Sequence, residues 1–495
     1  MSAPVTTRWR HRGWKALVAV LGLGALPLGA AETTYATAEA DGRRAGVAAW
    51  WTSMQGIERL QAREGLRLAP RGSTAVTIEV QPAARRQDIV GFGAAMTDAS
   101  AWLLRERLGV ADRDRLMADW FDPQHGLGLS FLRLTIGASD FSLTHYSLDD
   151  VPPGESDEPL ARFSLDAGGA LPVPLVQQAL ALNPSLKVMA SPWSAPGWMK
   201  TTDSLVKGTL REDRRAAFAE YLSRYVGAMR DRGIPLFALT LQNEPHFEPK
   251  DYPGMRLHDD DRRALLADFV GPLFARRHPE VRLLEWDHNW NRPEEPLAVL
   301  ADPRAAAFVA GVAWHCYEGH VEAQSRVHDL HPEQEAYLTE CSGGGWEKRH
   351  ADPFVDFVRV LFIGATRHWA RGVLLWNLAL DENSGPHLGG CYDCRGVVTI
   401  DSRTGAVTRN PEYYALAHFS RWVRPGAHRV DSSDGNDGLD NVAFRNRDDS
   451  LVLVVANSSA RSREFTVGAG TCAFGDSLPS RSVATYVWPA DADCS

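Results

Sequence analysis

Between Ile89 and Arg424 the chain switches repeatedly between short apolar runs and longer stretches in which apolar residues recur every three or four positions. Short branched runs predict strands, and the longer period predicts helices that lie across them. The strands so predicted are Val90–Ala95, Leu129–Ile136, Leu186–Trp193, Phe237–Asn243, Arg282–His288, Gly311–Tyr317, Ala336–Glu340 and Val373–Leu380. Between them Phe218, Tyr221, Leu222, Tyr225, Val226 and Met229 form one helical stripe. Leu265, Leu266, Phe269, Val270 and Leu273 form a second, and Phe354, Phe357, Val358, Leu361 and Ala365 a third. Eight strands with helical crossovers close most economically into a (β/α)8 TIM barrel, because right-handed crossovers cover the outside while branched side chains fill the inside. An open doubly wound sheet is the weaker alternative, since the Gly-x-Gly starting at Gly91 lacks the third glycine of a dinucleotide site.

The pattern changes near Val430. Leu451–Ala456, Arg463–Val467 and Ser482–Val487 are short β-rich runs separated by Asn, Asp, Ser and Gly, which predicts a side antiparallel β-sandwich module. Arg67–Pro70 and Ala75–Val80 are also strand-like and precede the first barrel strand, so they are expected to join that module. The expected organisation is therefore a barrel over residues 86–425 and a β module over 426–495, completed by strands from 45–85.

The first 31 residues fall outside this scheme. Arg8, Arg10, Arg12 and Lys15 precede an apolar run, Ala16–Leu28, which ends in the small residues Gly29, Ala30 and Ala31. That order is the signature of a secretory signal peptide, and the run is short of the roughly 20 apolar residues of a membrane span. A secreted chain without a stable membrane anchor is the expectation. The net charge of -9, from 53 basic and 62 acidic residues, argues against nucleic acid as a partner, because no cationic excess exists to neutralise phosphates. Export also gives meaning to the six cysteines. Cys391 with Cys394 and Cys472 with Cys494 are the favoured disulfides, being close in sequence within one module, while Cys316 and Cys341 stay open. Zinc at Cys391 and Cys394 is disfavoured, since no second ligand pair follows at metal spacing.

In a barrel the chemistry sits where strands end and βα loops begin. Those positions here carry Arg133, Trp193, Asn243-Glu244-Pro245, His315-Cys316-Tyr317, Thr339-Glu340-Cys341 and Trp376-Asn377, with Asp98 and Asp140 just after the first two strands. Glu244 and Glu340, at the ends of the fourth and seventh strands, would face each other across the mouth. Two such carboxyls are what glycoside hydrolysis needs: one protonates the leaving oxygen, and the other attacks the anomeric carbon when the two are about 5–5.5 Å apart. No metal or organic cofactor is required.

Several runs taken together resemble glycoside hydrolase family 30, in the branch of glucosylceramidases and fungal-type β-1,6-glucanases. They are Gly91-Phe-Gly-Ala-Ala-Met-Thr-Asp98, Ala138-Ser-Asp-Phe-Ser142, Ala190-Ser-Pro-Trp-Ser-Ala-Pro-Gly-Trp-Met-Lys200, Leu241-Gln-Asn-Glu-Pro245, Thr339-Glu-Cys341 and Leu375-Trp-Asn-Leu-Ala-Leu-Asp-Glu382. The resemblance implies a retaining β-glycosidase with Glu244 as general acid/base and Glu340 as nucleophile. It also implies a terminal-sugar site formed by Asp98, Asp140, Trp193, Asn243 and Trp376. Tyr317 and Arg133 are expected to hold or tune Glu340, with His315 and Asn377 in supporting positions. The sequence departs from the mammalian glucosylceramidase pattern at Ala94, at Cys316 and in the run Ser342-Gly-Gly-Gly-Trp346, and these loops shape the leaving-group side. His387 and the Cys391–Cys394 loop are expected to form another wall. The expected substrate is thus a β-linked glucoside or glucan, with glucosylceramide, β-1,6-glucan and galactan all open. A sugar-binding protein on an inactive barrel is the alternative from another class.

Overall fold

The computed structural model describes residues 46–494 except 57, 74, 347–351, 435–437 and 493. The N-terminal segment read as a signal peptide lies outside the described residues. Among the described residues no helix is long and apolar enough to cross a membrane.

Eight parallel strands close into a barrel: β1 (Gly91–Ala95), β2 (Phe131–Ile136), β3 (Lys187–Pro192), β4 (Leu236–Thr240), β5 (Arg282–Asn289), β6 (Val309–His315), β7 (Glu335–Glu340) and β8 (Ala370–Leu375). Each strand pairs with its neighbours in chain order, and β8 pairs with β1 to complete the ring. All eight strands expected from the apolar runs are present. Several end earlier than the apolar pattern, because the chain turns away to form the mouth: β8 stops at Leu375, and Asn377 takes a φ of 60°.

The helical stripes are buried as expected. Phe218, Tyr221, Leu222, Tyr225, Val226 and Met229 all face inward from the helix Arg215–Asp231. The second stripe is interrupted by a π-helical turn at Leu265–Phe269, which leads into Val270–Arg277. Pro272 lies just beyond that turn; having no N–H and a ring that crowds the preceding carbonyls, it is accommodated by the widened turn.

The β module is a ten-stranded sheet that curls on itself. Ile78–Asp88 and Ala48–Thr52 from the N-terminal side pair with His428–Ser432 and Ser482–Pro489 from the C-terminal side. Its pairings are antiparallel, apart from a three-residue parallel contact between Val467–Ala469 and Ile78–Val80. Phe465, Phe474, Tyr486 and Trp488 fill its core. The helix Pro411–Ser420 fastens it to the barrel: buried His418 meets Thr485 Oγ1 at 2.8 Å and Thr52 Oγ1 at 2.9 Å. The two favoured disulfides are present, and Cys316 and Cys341 are joined to each other.

Candidate active site

Side chains alternate in direction along a strand, so a residue two places above an inward apolar side chain also faces inward. Phe131, Met189, Ala238, Leu284, Ala313, Tyr337 and Leu374 form an apolar plug inside the barrel. Two places above five of them stand Arg133, Ser191, Thr240, His315 and Thr339. Strand β5 reaches the same polar layer by another route. Positive φ angles at Trp286 (75°) and Asp287 (55°), together with a slip in register against β6, make a bulge that turns Asp287 into the barrel.

Asp287 is the hub of this layer. Its Oδ2 accepts from Arg133 Nη2, Ser191 Oγ and Thr240 Oγ1, each at 2.8 Å, and its Oδ1 accepts from Thr339 Oγ1 at 2.7 Å and His315 Nε2 at 3.1 Å. Burial alone would raise its pKa, but the Arg133 charge and the hydrogen bond from His315 hold the carboxyl far below the usual range. Arg133 passes this order upward. Its Nη1 donates to Glu340 Oε2, and Nη2 also donates to Asn243 Oδ1 at 2.8 Å. The guanidinium lies 4.9 Å from the Trp193 ring and 5.6 Å from that of Trp376.

Glu340 receives a second donor, the Tyr317 hydroxyl, on Oε1 at 3.0 Å. Glu244 follows β4 in a left-handed conformation with a φ of 47°, and its own N–H donates to the Asp287 carbonyl at 3.0 Å. Its Oε1 lies 3.2 Å from His315 Nδ1 and 3.7 Å from His288 Nδ1. His315 Nδ1 is also 4.0 Å from Glu340 Oε1, so one imidazole stands between the two carboxyls. Burial disfavours the His315 cation, yet Glu340, Asp287 and Glu244 outweigh it and raise its pKa to about 9. His288 goes the other way, to about 4, since burial exceeds the pull of Glu244. For the carboxyl pair, burial raises both. At Glu244 the hydrogen bond to His315 overcomes it and holds the group low; at Glu340 burial and the charge of Glu244 exceed the help of His315 and Arg133 and leave the group high.

Other residues line the cleft around this pair. Trp193 and Trp376 stack at 5.2 Å between ring centroids, only 14° from parallel. Asp140 is buried, and its Oδ1 meets no hydrogen-bond partner among the described residues. Burial and the two glutamates push its pKa well up. Asp98 opens the helix Asp98–Glu106 and accepts from Tyr146 at 2.9 Å; burial, partly offset by Ser142 and Tyr146, raises it to about 6. Its neighbour Ala99 bonds to the backbone of Phe141, whose ring meets Trp376 edge-on. Asn377 is placed differently. It is fully buried, and its Oδ1 accepts from Thr97 Oγ1 at 2.7 Å, so it ties the end of β8 to the cap of that helix instead of facing the carboxyls.

Asp287 and His288 are positions of the candidate site that the apolar pattern did not single out. The polar run Trp286-Asp-His-Asn289 at the end of the fifth strand was the available signal. By position, Glu244, His288 and His315 could hold a metal ion, with one ligand atom from each lying within 4.8 Å of the others.

Comparison with known proteins agrees with this fold. Residues 89–423 match the glycosyl hydrolase family 30 TIM-barrel domain, and residues 426–486 match the glycosyl hydrolase family 30 beta sandwich domain. An endo-1,6-beta-D-glucanase of Aspergillus fumigatus is 33% identical over 444 residues, covering 84% of this chain and 88% of that protein. The lysosomal acid glucosylceramidase of Mus musculus is 28% identical over 454 residues, covering 87% of each. Among solved structures, the endo-beta1,6-glucanase BT3312 superposes with a TM-score of 0.82 at 30% identity, covering 90% of this chain and 99% of that one.

Proposed function

The chain belongs to glycosyl hydrolase family 30, a family of O-glycosyl hydrolases, and we propose that it cleaves β-1,6-linked glucan by a retaining mechanism with Glu340 as nucleophile and Glu244 as general acid/base. The observation that carries the chemistry is the shared imidazole. Oε1 of Glu244 and Oε1 of Glu340 lie 3.2 Å and 4.0 Å from the same nitrogen of His315, so the two oxygens are no more than about 7 Å apart. That bound takes in the roughly 5–5.5 Å of retaining pairs and the lower end of the roughly 6.5–9.5 Å of inverting ones, and retention is proposed on the family resemblance.

In the first step Glu340, as the carboxylate that Arg133 and Tyr317 stabilise by hydrogen bonds, attacks the anomeric carbon, while Glu244, carrying a proton received from His315, protonates the departing oxygen. In the second, Glu244 takes a proton from water, which displaces Glu340 from the sugar. Arg133 and Tyr317 hold both oxygens of Glu340 and aim it. Before substrate binds, the proton for the first step rests on His315 Nδ1 against Glu244 Oε1, in keeping with the lowered pKa of Glu244. A bound sugar dries Glu244 further and shifts that proton toward it. Asn243, fixed by Arg133, is poised for the sugar 2-hydroxyl, where contacts strengthen in the transition state. Trp193 and Trp376 offer an aromatic face to the pyranose, and the unpartnered oxygen of Asp140 is available to a sugar hydroxyl.

For the substrate, β-1,6-glucan is favoured by the higher identity to the Aspergillus glucanase than to the mouse glucosylceramidase. Export is supported by the N-terminal sequence and by three disulfides, which persist in oxidising compartments. The test is sugar release by the purified protein from β-1,6-glucan and from glucosylceramide, with Glu340→Gln as blank. Release from the glucan, abolished in the variant, supports the proposal. Release from the lipid alone would make the protein a glucosylceramidase, and glucan binding without release would make it a sugar-binding barrel.

A further inference from the structure

Among the described residues, the large aromatic side chains left exposed are Phe247 (46%), Tyr317 (40%), Trp346 (37%) and Tyr392 (68%). All four follow the C-terminal ends of barrel strands, β4, β6, β7 and β8 respectively, so all belong to the mouth where Glu244 and Glu340 stand. Exposed aromatic rings are costly in water, and their confinement to one end of the molecule marks a contact surface. The C–H faces of pyranose rings are the surface such rings complement in a hydrophilic polymer.

Trp346 and Tyr392 share one support. Gly343–Gly344, just after Glu340, pairs antiparallel with Cys394–Arg395, and the Gly345 N–H donates to the Asp393 carbonyl at 2.8 Å. The Cys391–Cys394 disulfide clasps the second arm, and Arg395 anchors it through Nε to both oxygens of buried Glu412 at 2.9 Å. The Trp346 ring covers Gly344 so closely that a Cβ there would collide with it. Tyr392 meets His387 edge-on at 4.8 Å, His387 meets Phe141 at 6.0 Å, and Phe141 meets Trp376 at 6.0 Å. The wall is therefore continuous with the Trp193–Trp376 floor. Phe247 shares the cleft with Glu244, Trp193, Asn243 and Tyr252.

We propose that the Trp346–Tyr392 ribbon and Phe247 form an aromatic platform along the cleft for glucose units beyond the reacting sugar, so that the polymer is gripped by more than its terminal unit. This rests on the β-glucan reading above and adds to it the residues that bind the polymer away from the reacting sugar. Two measurements test it. The first compares kcat/KM on β-1,6-glucan with that on an aryl β-glucoside for Trp346→Ala, Tyr392→Ala and the conservative pair Trp346→Phe and Tyr392→Phe. Each alanine variant is expected to lower the polymer-to-aryl ratio by about 3- to 10-fold, mainly through KM, with the phenylalanine variants restoring most of it. A ratio within twofold of the parent in folded alanine variants overturns the platform. The second measures retardation of the protein by β-1,6-glucan in affinity gels, in a Glu340→Gln background, and does not depend on turnover. Retardation that weakens on removing either ring supports the platform even if the parent releases no sugar, an outcome that would count against the hydrolytic proposal alone. Equal retardation with and without the rings, or none at all, overturns it.

Discussion

Arg133 and Asp287 face each other at 2.8 Å, and both side chains are completely shielded from water. The pair joins β2 to the bulge of β5; Nη1 of Arg133 fixes Glu340, and Nη2, which bonds Asp287, also fixes Asn243. An ion pair buried this deeply gains little over apolar packing, but removing one partner strands the other charge. Asp287→Asn is therefore expected to cost about 3–5 kcal/mol of unfolding free energy and to lower kcat/KM as well, because Arg133 loses the anchor that aims it. Denaturant unfolding and steady-state kinetics on the same preparation check this. A variant as stable as the parent would show that Arg133 is held by its other contacts.

Glu244 gives the sharpest test of roles. If it supplies the leaving-group proton, Glu244→Ala should slow cleavage by orders of magnitude for unactivated glucosides, and far less for aryl glycosides whose leaving groups need little protonation. Added azide should then accelerate the second step and yield a glycosyl azide of retained β configuration. Equal losses on both substrate classes would remove Glu244 from the acid role, and an α-azide would contradict retention.

His315 should leave a trace in stability as well as in rate. Its pKa is raised from 6.5 to about 9 in the folded protein, so the fold binds this proton more tightly than the unfolded chain. The associated stability, up to about 3 kcal/mol, is complete below pH 6.5 and is lost as pH rises through about 9. Unfolding of the parent and of His315→Gln, compared between pH 6 and 10, should show the difference between them shrinking across that window. Activity should fall over the same limb as Glu244 loses its proton source. A difference that stays constant with pH would place the proton elsewhere.

Much of this was legible in the sequence because a barrel repeats one rule eight times. Each strand is an apolar run, and the polar residues that interrupt or end it mark the mouth, so Glu244, Glu340, Arg133 and His315 could be picked out by position, although Arg133 lies within β2 and not at its end. Asp287 could not. Regular alternation from Leu284 would have pointed Trp286 inward, and the bulge that turns Asp287 in depends on backbone angles that no side-chain period records. Asn377 shows the opposite case: it follows a strand end like the others, but a left-handed turn after β8 swings it beneath the site. In the β module, Leu439–Arg445 and Cys472–Leu478 escaped notice. The first is interrupted by Asp440 and Asn441, and the second carries Gly475 and Asp476, so neither shows an unbroken alternation.

The disulfide between Cys316 and Cys341 links the residues that directly follow His315 and Glu340, the imidazole and the carboxyl that stand 4.0 Å apart. It therefore ties β6 to β7 at the point where Tyr317 must reach across to Glu340 at 3.0 Å. A crosslink closing a loop of 25 residues is worth about 3 kcal/mol through the unfolded chain. The double substitution Cys316→Ala with Cys341→Ala is expected to lower unfolding free energy by about that amount and to reduce kcat as well, since the Tyr317 contact loses its fixed span. Tyr317→Phe separates the two effects: it should reproduce the loss of kcat while leaving stability within about 1 kcal/mol of the parent, the net worth of one hydrogen bond. If the double variant unfolds earlier but turns over at the parental rate, the crosslink secures only the fold, and Tyr317 keeps its place through the backbone bond its N–H makes to Asn289 Oδ1 at 3.0 Å.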